Sequence, residues 1–477
     1  MYMRGFCVFN DARVLNKFRI ICEICVICGL SFSSSCLRVF VVHKCFLRII
    51  EPMQPVESRL RSHVTLFLCT VLHAFTHAYG SMLVPLYLLM VADLHLPGVK
   101  RASLLLTLYS FVYCAGSFGA GVLADRFNRK LLLGIGLLGN ALAIALIGLT
   151  RSYELMLLWA ILGGLSGTVF HPAAGALVAG HYPKSPGMAI GLLGIGSGIG
   201  FFVGPKYSGW RAQVAHWSWT GWQIAQWQKP CVELGLAGVI VGLLFLLIAK
   251  ETVHQPSHAN RQPLGRGMSL RVMAIGGLLG CRDFAGVAGL SLAGIYLLRA
   301  HHFSTKETGA VLGMMMLLSV VVNPTLVWLT PGSRRLTALR VILILGGVIA
   351  ATIPFFPARF ALLILCAFQT CQMGSYAISD SALLERWPAG MRGRGYGLFF
   401  TIAGTMSSMG PLLMGAWTDA LGVRADSAHG YILPFAILGA GMLVATLATP
   451  IIHRLGPAIN KVEPITETMP GTLEPVG

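Results

Sequence analysis

Runs of about twenty predominantly apolar residues recur along this chain, each long enough as a helix to cross the hydrocarbon core of a bilayer. In lipid the backbone must satisfy its own hydrogen bonds, so only helices and closed barrels can span it. These runs lack the alternation of apolar and polar side chains that marks barrel strands. An all-α membrane protein is therefore expected. Composition agrees: 55% of the 477 residues are hydrophobic and 11% charged, against about 25% charged in soluble proteins.

Twelve transmembrane helices are predicted, over residues 64–91, 103–123, 131–149, 155–179, 188–204, 231–249, 272–298, 310–329, 339–356, 359–380, 396–417 and 431–452. The net charge of +18 is no nucleic-acid signature, because Lys and Arg are dispersed over short loops. They are more frequent in loops on the side of the amino terminus, which puts both termini in the cytoplasm of a multi-pass plasma (inner) membrane protein. The expected partner on this ground is the bilayer, with no nucleic acid. No phosphate-binding loop, nucleophile elbow or zinc-protease motif is present. No enzymatic activity, cofactor or resident metal is expected.

Residues 1–52 form a separate question. They hold six of the twelve cysteines, including Cys22, Cys25 and Cys28 in "CEICVIC". An iron–sulfur or zinc site would need a further ligand where Phe32 stands. The expected reading is that translation starts at Met53, whose "MQPVESRLRSHVTLF" is a basic lead into span 1. A cleaved leader is the alternative. A chain beginning at Met53 is expected to insert and function normally, and failure to insert would make the leader real. The remaining cysteines are scattered, mostly in spans, and suggest no disulfide framework.

The chain repeats itself. Span 5 reads Gly191, twelve residues, then Gly204-Pro205, and span 11 reads Gly397, twelve residues, then Gly410-Pro411. The same offset carries Arg129, after span 2, onto Arg335, after span 8. The expected organisation is a six-helix half over 53–249, a cytoplasmic linker over 250–271, a second six-helix half over 272–455 and a cytoplasmic tail over 456–477.

Polar residues concentrate on the first and fourth span of each half. Span 1 has His73 and His77 on one helical face, span 4 has His171, and span 7 has Arg282 and Asp283. Span 10 carries Gln369, Gln372, Tyr376 and Asp380 at helical spacing. Intramembrane ionisable groups usually face a bundle interior or watery cavity, so these four spans are expected to line one. His171 is followed by Pro172, which frees the carbonyl of residue 168 and predicts a bent, cavity-lining segment with a titratable group. Arg282 and Asp283 diverge by about 100° on a helix, so each is expected to need its own partner. Five of the nine tryptophans fall between Trp210 and Trp227. They form no clean helical stripe, and an outer-interface anchor is expected there.

The loop "GVLADRFNRK" (Gly121, Asp125, Arg126, Arg129, Lys130) resembles the signature that follows span 2 in the major facilitator superfamily, with Asn128 in place of a glycine. Span 5 resembles its antiporter motif through Gly191, Gly200 and Gly204-Pro205, with Ser208-Gly209 where two glycines are usual. "FHP" in span 4 and "GMAIGLLGIGSGIG" look most like the fosmidomycin-resistance-like efflux branch. The resemblance implies two pseudo-symmetric six-helix halves that rock about a central site. It implies that Asp125 meets the N-terminus of span 11, and that Arg126, Arg129 and Lys130 add gating bridges. The glycines and Pro205 of span 5 are expected at a half-to-half interface near span 8, where small residues allow close backbone contact. The second-half signature is degraded to "LTPGSRR", and span 4 lacks the arginine of many drug–proton antiporters.

The function expected is proton-coupled efflux of a small anionic or zwitterionic compound, with that small-molecule substrate and protons as partners and the chain acting as a monomer. The cavity groups are three histidines, Arg282 and one deep carboxylate, Asp283. The rivals are organic-anion uptake, metal-ion movement through His73, His77, His171 and Asp283, and a non-transporting sensor or assembly protein.

Overall fold

The computed structural model describes residues 56–183, 185–214, 217–219, 222–251, 265–387 and 392–455. Residues 1–52, most of the 250–271 linker and the 456–477 tail lie outside them. Among the described residues, twelve helical segments are long and apolar enough to cross a membrane: Leu60–Asp93, Val99–Arg126, Arg129–Leu149, Tyr153–His181, Gly187–Arg211, Gln228–Ile248, Arg266–Arg299, Thr305–Leu329, Arg335–Phe355, Ala358–Arg386, Arg394–Asp426 and Ala428–His453. They are spans 1 to 12. Most exceed their predicted lengths, because apolarity marks the membrane-embedded part while capped helices run on into the headgroup region. Span 8, for example, starts at a capping box in which Ser304 and Glu307 satisfy each other's backbone amides. Span 7 likewise begins at Arg266, inside the segment expected to be linker. Within the tryptophan-rich segment, Trp217–Trp219 and Trp222–Ile224 pair as two short antiparallel strands.

Packing repeats with the six-span offset. Span 3 packs on spans 4 and 6, and span 9 on spans 10 and 12. Span 2 packs on span 4, and span 8 on span 10. Across the halves, span 2 meets span 11 and span 8 meets span 5. The repeat extends to single side chains. Arg129 Nε donates to the Ala124 carbonyl at 3.3 Å, and Arg335 Nε donates to the Thr330 carbonyl at 2.9 Å. Each arginine satisfies a C-terminal carbonyl five residues back, one that its own helix leaves without a donor. Arg335 also pairs with Glu385.

The breaks in the spans follow their prolines and glycines. Span 4 is interrupted between Gly167 and Phe170, one turn before Pro172. Span 11 breaks at Met409, before Gly410-Pro411. Span 1 unwinds after Tyr79 and resumes as helix at Tyr87.

The halves are closed at the face opposite to that where span 1 begins. Asp419, near the end of span 11, accepts the Val99 and Lys100 amides that open span 2, at 2.8 and 2.9 Å. A carboxylate there satisfies orphan amides and meets the positive end of the helix dipole. Deeper in, Thr107 Oγ1 accepts from the Leu412 amide at 3.0 Å. Asp419→Ala removes the cap, a loss of about 0.5–2 kcal/mol. It is expected to open this face more often, read as faster thiol labelling of a Ser103→Cys reporter. Unchanged labelling would make the cap irrelevant to closure.

Spans 5 and 8 touch near the same face. There Gly209 stands against the Thr305 carbonyl and Gly309, and Gly309 against the Pro205 carbonyl. Toward the other face span 5 is uncovered, with Met188, Ile190, Leu192, Ile195 and Ile199 exposed. Gly200 and Gly204 do not reach span 8. A side chain at either would collide with the Ala74 or Ala78 carbonyl of span 1. Their place is thus inside the first half, and Pro205 and Gly209 supply the contact between halves. The reason is helical phase: residues four apart share a face, so Gly196, Gly200 and Gly204 seat span 1, while Pro205 and Gly209 lie about 100° round. Gly410 similarly abuts Ala288 of span 7.

Candidate functional site

The polar groups gather in two clusters, one in each half. In the first, His73 and His77 follow each other by four residues on span 1 and face one another, their Nε2 atoms 3.0 Å apart. His73 Nδ1 lies 2.8 Å from the Leu193 carbonyl of span 5. A carbonyl oxygen only accepts, so His73 Nδ1 carries its hydrogen. In the neutral ring Nε2 is then the acceptor, and His77 Nε2 donates to it. One assignment of hydrogens satisfies both contacts, and the next proton falls on His77 Nδ1.

The break in span 4 brings His171 to this pair. Its ring centre lies 5.3 Å from that of His73 and 5.8 Å from that of His77. Thr168, in the broken turn, donates to the Tyr113 carbonyl of span 2 at 2.7 Å and so anchors the bend. Aromatic rings surround the trio: Phe170 stacks on His73, Phe201 lies against His77, and Tyr113 meets His171 edge-on. Phe400 of span 11 also meets His171, at 5.9 Å between ring centres. The cluster therefore looks toward the other half. His73 is 6% exposed, whereas His77 and His171 are only partly buried.

In the second half Arg282 and Asp283 pair with each other, contrary to the expectation of separate partners. Nε and Nη2 of Arg282 lie 2.7 and 2.6 Å from Asp283 Oδ1. The long arginine arm bends back and offsets the helical divergence of the two residues. Its Nη1 donates to Ser379 Oγ at 2.7 Å, and its guanidinium lies 3.8 Å over the Tyr376 ring. Span 10 thus holds the cation by a hydroxyl and a ring face. Arg282 is fully buried, and Asp283 is 7% exposed.

A second carboxylate, Asp380, follows Ser379 on span 10. Tyr396 of span 11 holds it, donating its hydroxyl to Oδ2 at 2.9 Å. The other oxygen, Oδ1, is buried with no hydrogen-bond partner among the described residues. Asp283 is therefore not the one deep carboxylate. The helical spacing of Asp380 with Tyr376 was the signal for it, and its nearness to the span's end obscured its depth. Gln369 and Gln372 are buried: Gln369 Nε2 contacts Met316 Sδ of span 8 at 3.1 Å, and Gln372 packs over Gly286 of span 7.

Asp283 does not join the histidines, so the four-residue metal set is not assembled; among the described residues the three histidines alone converge, each offering a nitrogen within 4.8 Å of the others'. Gly121, Asp125 and Arg126 lie in the last two turns of span 2, with Asp125 and Arg126 exposed. The Lys130 amide is held by Glu251 at 2.7 Å. Among the described residues all six cysteines are free.

Two repeated six-helix halves, meeting around buried polar clusters on spans 1, 4, 7 and 10, define a two-repeat polytopic membrane protein. The sequence model of the Major Facilitator Superfamily matches residues 66–411, and the chain belongs to that family. It is 35% identical over 146 residues to multidrug resistance protein MdtG of Dickeya zeae, covering 29% of this chain and 35% of that protein. It is 31% identical over 132 residues to the tetracenomycin C resistance and export protein of Streptomyces glaucescens, covering 28% and 23%. These matches thus span a minor part of each relative's length. Among solved structures, an inward-facing, unoccupied bacterial homologue of the human lysosomal transporter Spinster superposes with a TM-score of 0.68 at 13% identity, covering 83% of this chain and 98% of that one. A variant of the nucleoside transporter NupG gives 0.63 at 14% identity, over 82% and 100%. Both likenesses concern the fold.

Proposed function

We propose that this protein is a secondary active transporter that exports a small anionic or zwitterionic compound in exchange for protons. The observation that carries this is the Arg282–Asp283 pair, stacked on Tyr376 and tied to Ser379. Among the described residues the only carboxylate bonded to Arg282 is that of its own neighbour, which makes it an exchangeable anion site. The fork of donors on Arg282 can take a substrate carboxylate or phosphonate in place of Asp283. A charged Asp283 can in turn hold the ammonium of a zwitterion whose anionic group sits on Arg282, and a proton on Asp283 excludes that ammonium, so proton and substrate exchange places. The His73–His77 pair of the first half is the second titratable group.

Closure at the Asp419 and Gly309 contacts supports an inward-open state, given cytoplasmic termini. Alternating access breaks those contacts and closes the other face, where Gly121, Asp125 and Arg126 end span 2 and Arg129 opens span 3. The export direction takes support from the drug-resistance and export proteins among the relatives. The finer likeness to the fosmidomycin-resistance-like branch belongs to the same proposal.

The test is proton flux in proteoliposomes across a panel of small anions, zwitterions and lipophilic cations. A substrate-induced proton movement confined to anions and zwitterions is expected. Substrate flux with no proton movement would sink exchange, and flux of cations alone would sink the substrate class.

A further inference from the structure

We infer that His73, His77 and His171 bind one divalent transition-metal ion of the zinc, cobalt or copper class, with a coordination position left open to the cavity. The inference goes beyond exchange at Arg282 and does not depend on it.

Ring geometry carries the argument. Around a tetrahedral ion with metal–nitrogen bonds of about 2.0–2.1 Å, imidazole centres stand roughly 3 Å from the metal and about 5 Å from each other. The three ring centres are 4.7, 5.3 and 5.8 Å apart. The Nε2 atoms of His73 and His77 already converge on one point, held by a single shared hydrogen. Replacing that hydrogen by a metal ion leaves both rings nearly in place, with the His77 hydrogen moving to Nδ1. His73 is oriented as a ligand histidine usually is: its other nitrogen donates to a backbone carbonyl, that of Leu193, which fixes the tautomer. Two ligands come from one turn of span 1 and the third from the helix that resumes after the break in span 4. The site is built on two helices and needs no loop to form.

The donor set selects the ion. Three neutral imidazoles suit zinc, copper, nickel and cobalt, whereas magnesium and calcium require oxygen ligands. No carboxylate joins the group among the described residues, so the bound ion keeps its double positive charge. The aromatic shell of Phe170, Phe201 and Phe400 covers the rings, while His77 and His171 remain partly exposed. The open position therefore takes water or an anionic group from the cavity.

The experiment uses the purified full chain, stripped with a chelator and titrated with cobalt(II) alone. One equivalent is expected to bind and give the intense visible absorption of low-coordinate cobalt, which one equivalent of zinc removes. His77→Ala and His171→Ala are each expected to weaken binding by at least about tenfold. His429→Ala, exposed at the start of span 12, should bind as the parent does. The wild-type spectrum decides even where a variant fails to assemble: a weak octahedral cobalt spectrum, or no binding, overturns the site. Retention of the intense absorption by a folded His77→Ala/His171→Ala variant overturns it equally. Loss of proton exchange in the liposome assay would leave this result standing, and absent cobalt binding would leave exchange at Arg282 untouched.

Discussion

Asp283→Asn is expected to lose pH-driven transport while keeping substrate exchange between equal concentrations on the two sides. The substitution keeps the shape and removes the titratable charge. It also leaves Arg282, fully buried, without the carboxylate that holds it. Breaking one partner of a buried pair costs about 3–5 kcal/mol, so the variant should melt earlier. An anionic substrate, now without its competitor, should bind more tightly and restore much of that stability. Three readouts thus move together: loss of the pH response, tighter anion binding and ligand-dependent stabilisation. Arg282→Lys should behave differently, because a point charge replaces a fork of donors. It should fold and weaken anion binding. A normal pH profile in Asp283→Asn would move the coupling proton to the His73–His77 pair or to Asp380.

Gly309→Leu should trap the protein away from the closed arrangement described here. Gly309 lies against the Pro205 carbonyl, and a side chain there would stand 3.1 Å from the Gly209 backbone where spans 8 and 5 meet. Backbone atoms cannot step aside. Overpacking costs about 1–3 kcal/mol, which shifts a two-state population roughly 5- to 150-fold. Transport should fall by a comparable factor while the protein still inserts. A thiol at Thr305, placed by Thr305→Cys, should become accessible from the face that is now closed. Gly200→Leu, in contrast, should damage assembly of the first half, since its neighbour is the Ala74 carbonyl of span 1. Normal transport and labelling in Gly309→Leu would mean that this contact does not set the closed state.

Much of the fold was legible in the sequence. Twelve spans follow from apolar length alone, because a bilayer imposes one thickness on every helix. The repeat was legible too: Arg129 and Arg335, related by an offset in sequence, do the same work at the ends of spans 2 and 8. Pro172 signalled the broken turn in span 4, because it removes an amide that the helix needs. The polar residues of spans 1, 4, 7 and 10 were found by their rarity, since charge is costly at membrane depth.

What each polar group touches was not legible, because it depends on side-chain reach and on helical phase relative to a partner. Arg282 and Asp283 point about 100° apart at the backbone, yet the arginine's length closes the pair. Gly200, Gly204 and Pro205 belong to one motif, yet the first two seat span 1 and the third meets span 8. The histidines stood on two spans in the sequence, and only the bend at Thr168 makes them one cluster. Sequence alone determined which residues lie in the membrane and which of them are too costly to be there without a purpose. Tertiary packing decided which of those meet, because convergence of side chains from separate helices depends on distances and rotations that no single helix encodes.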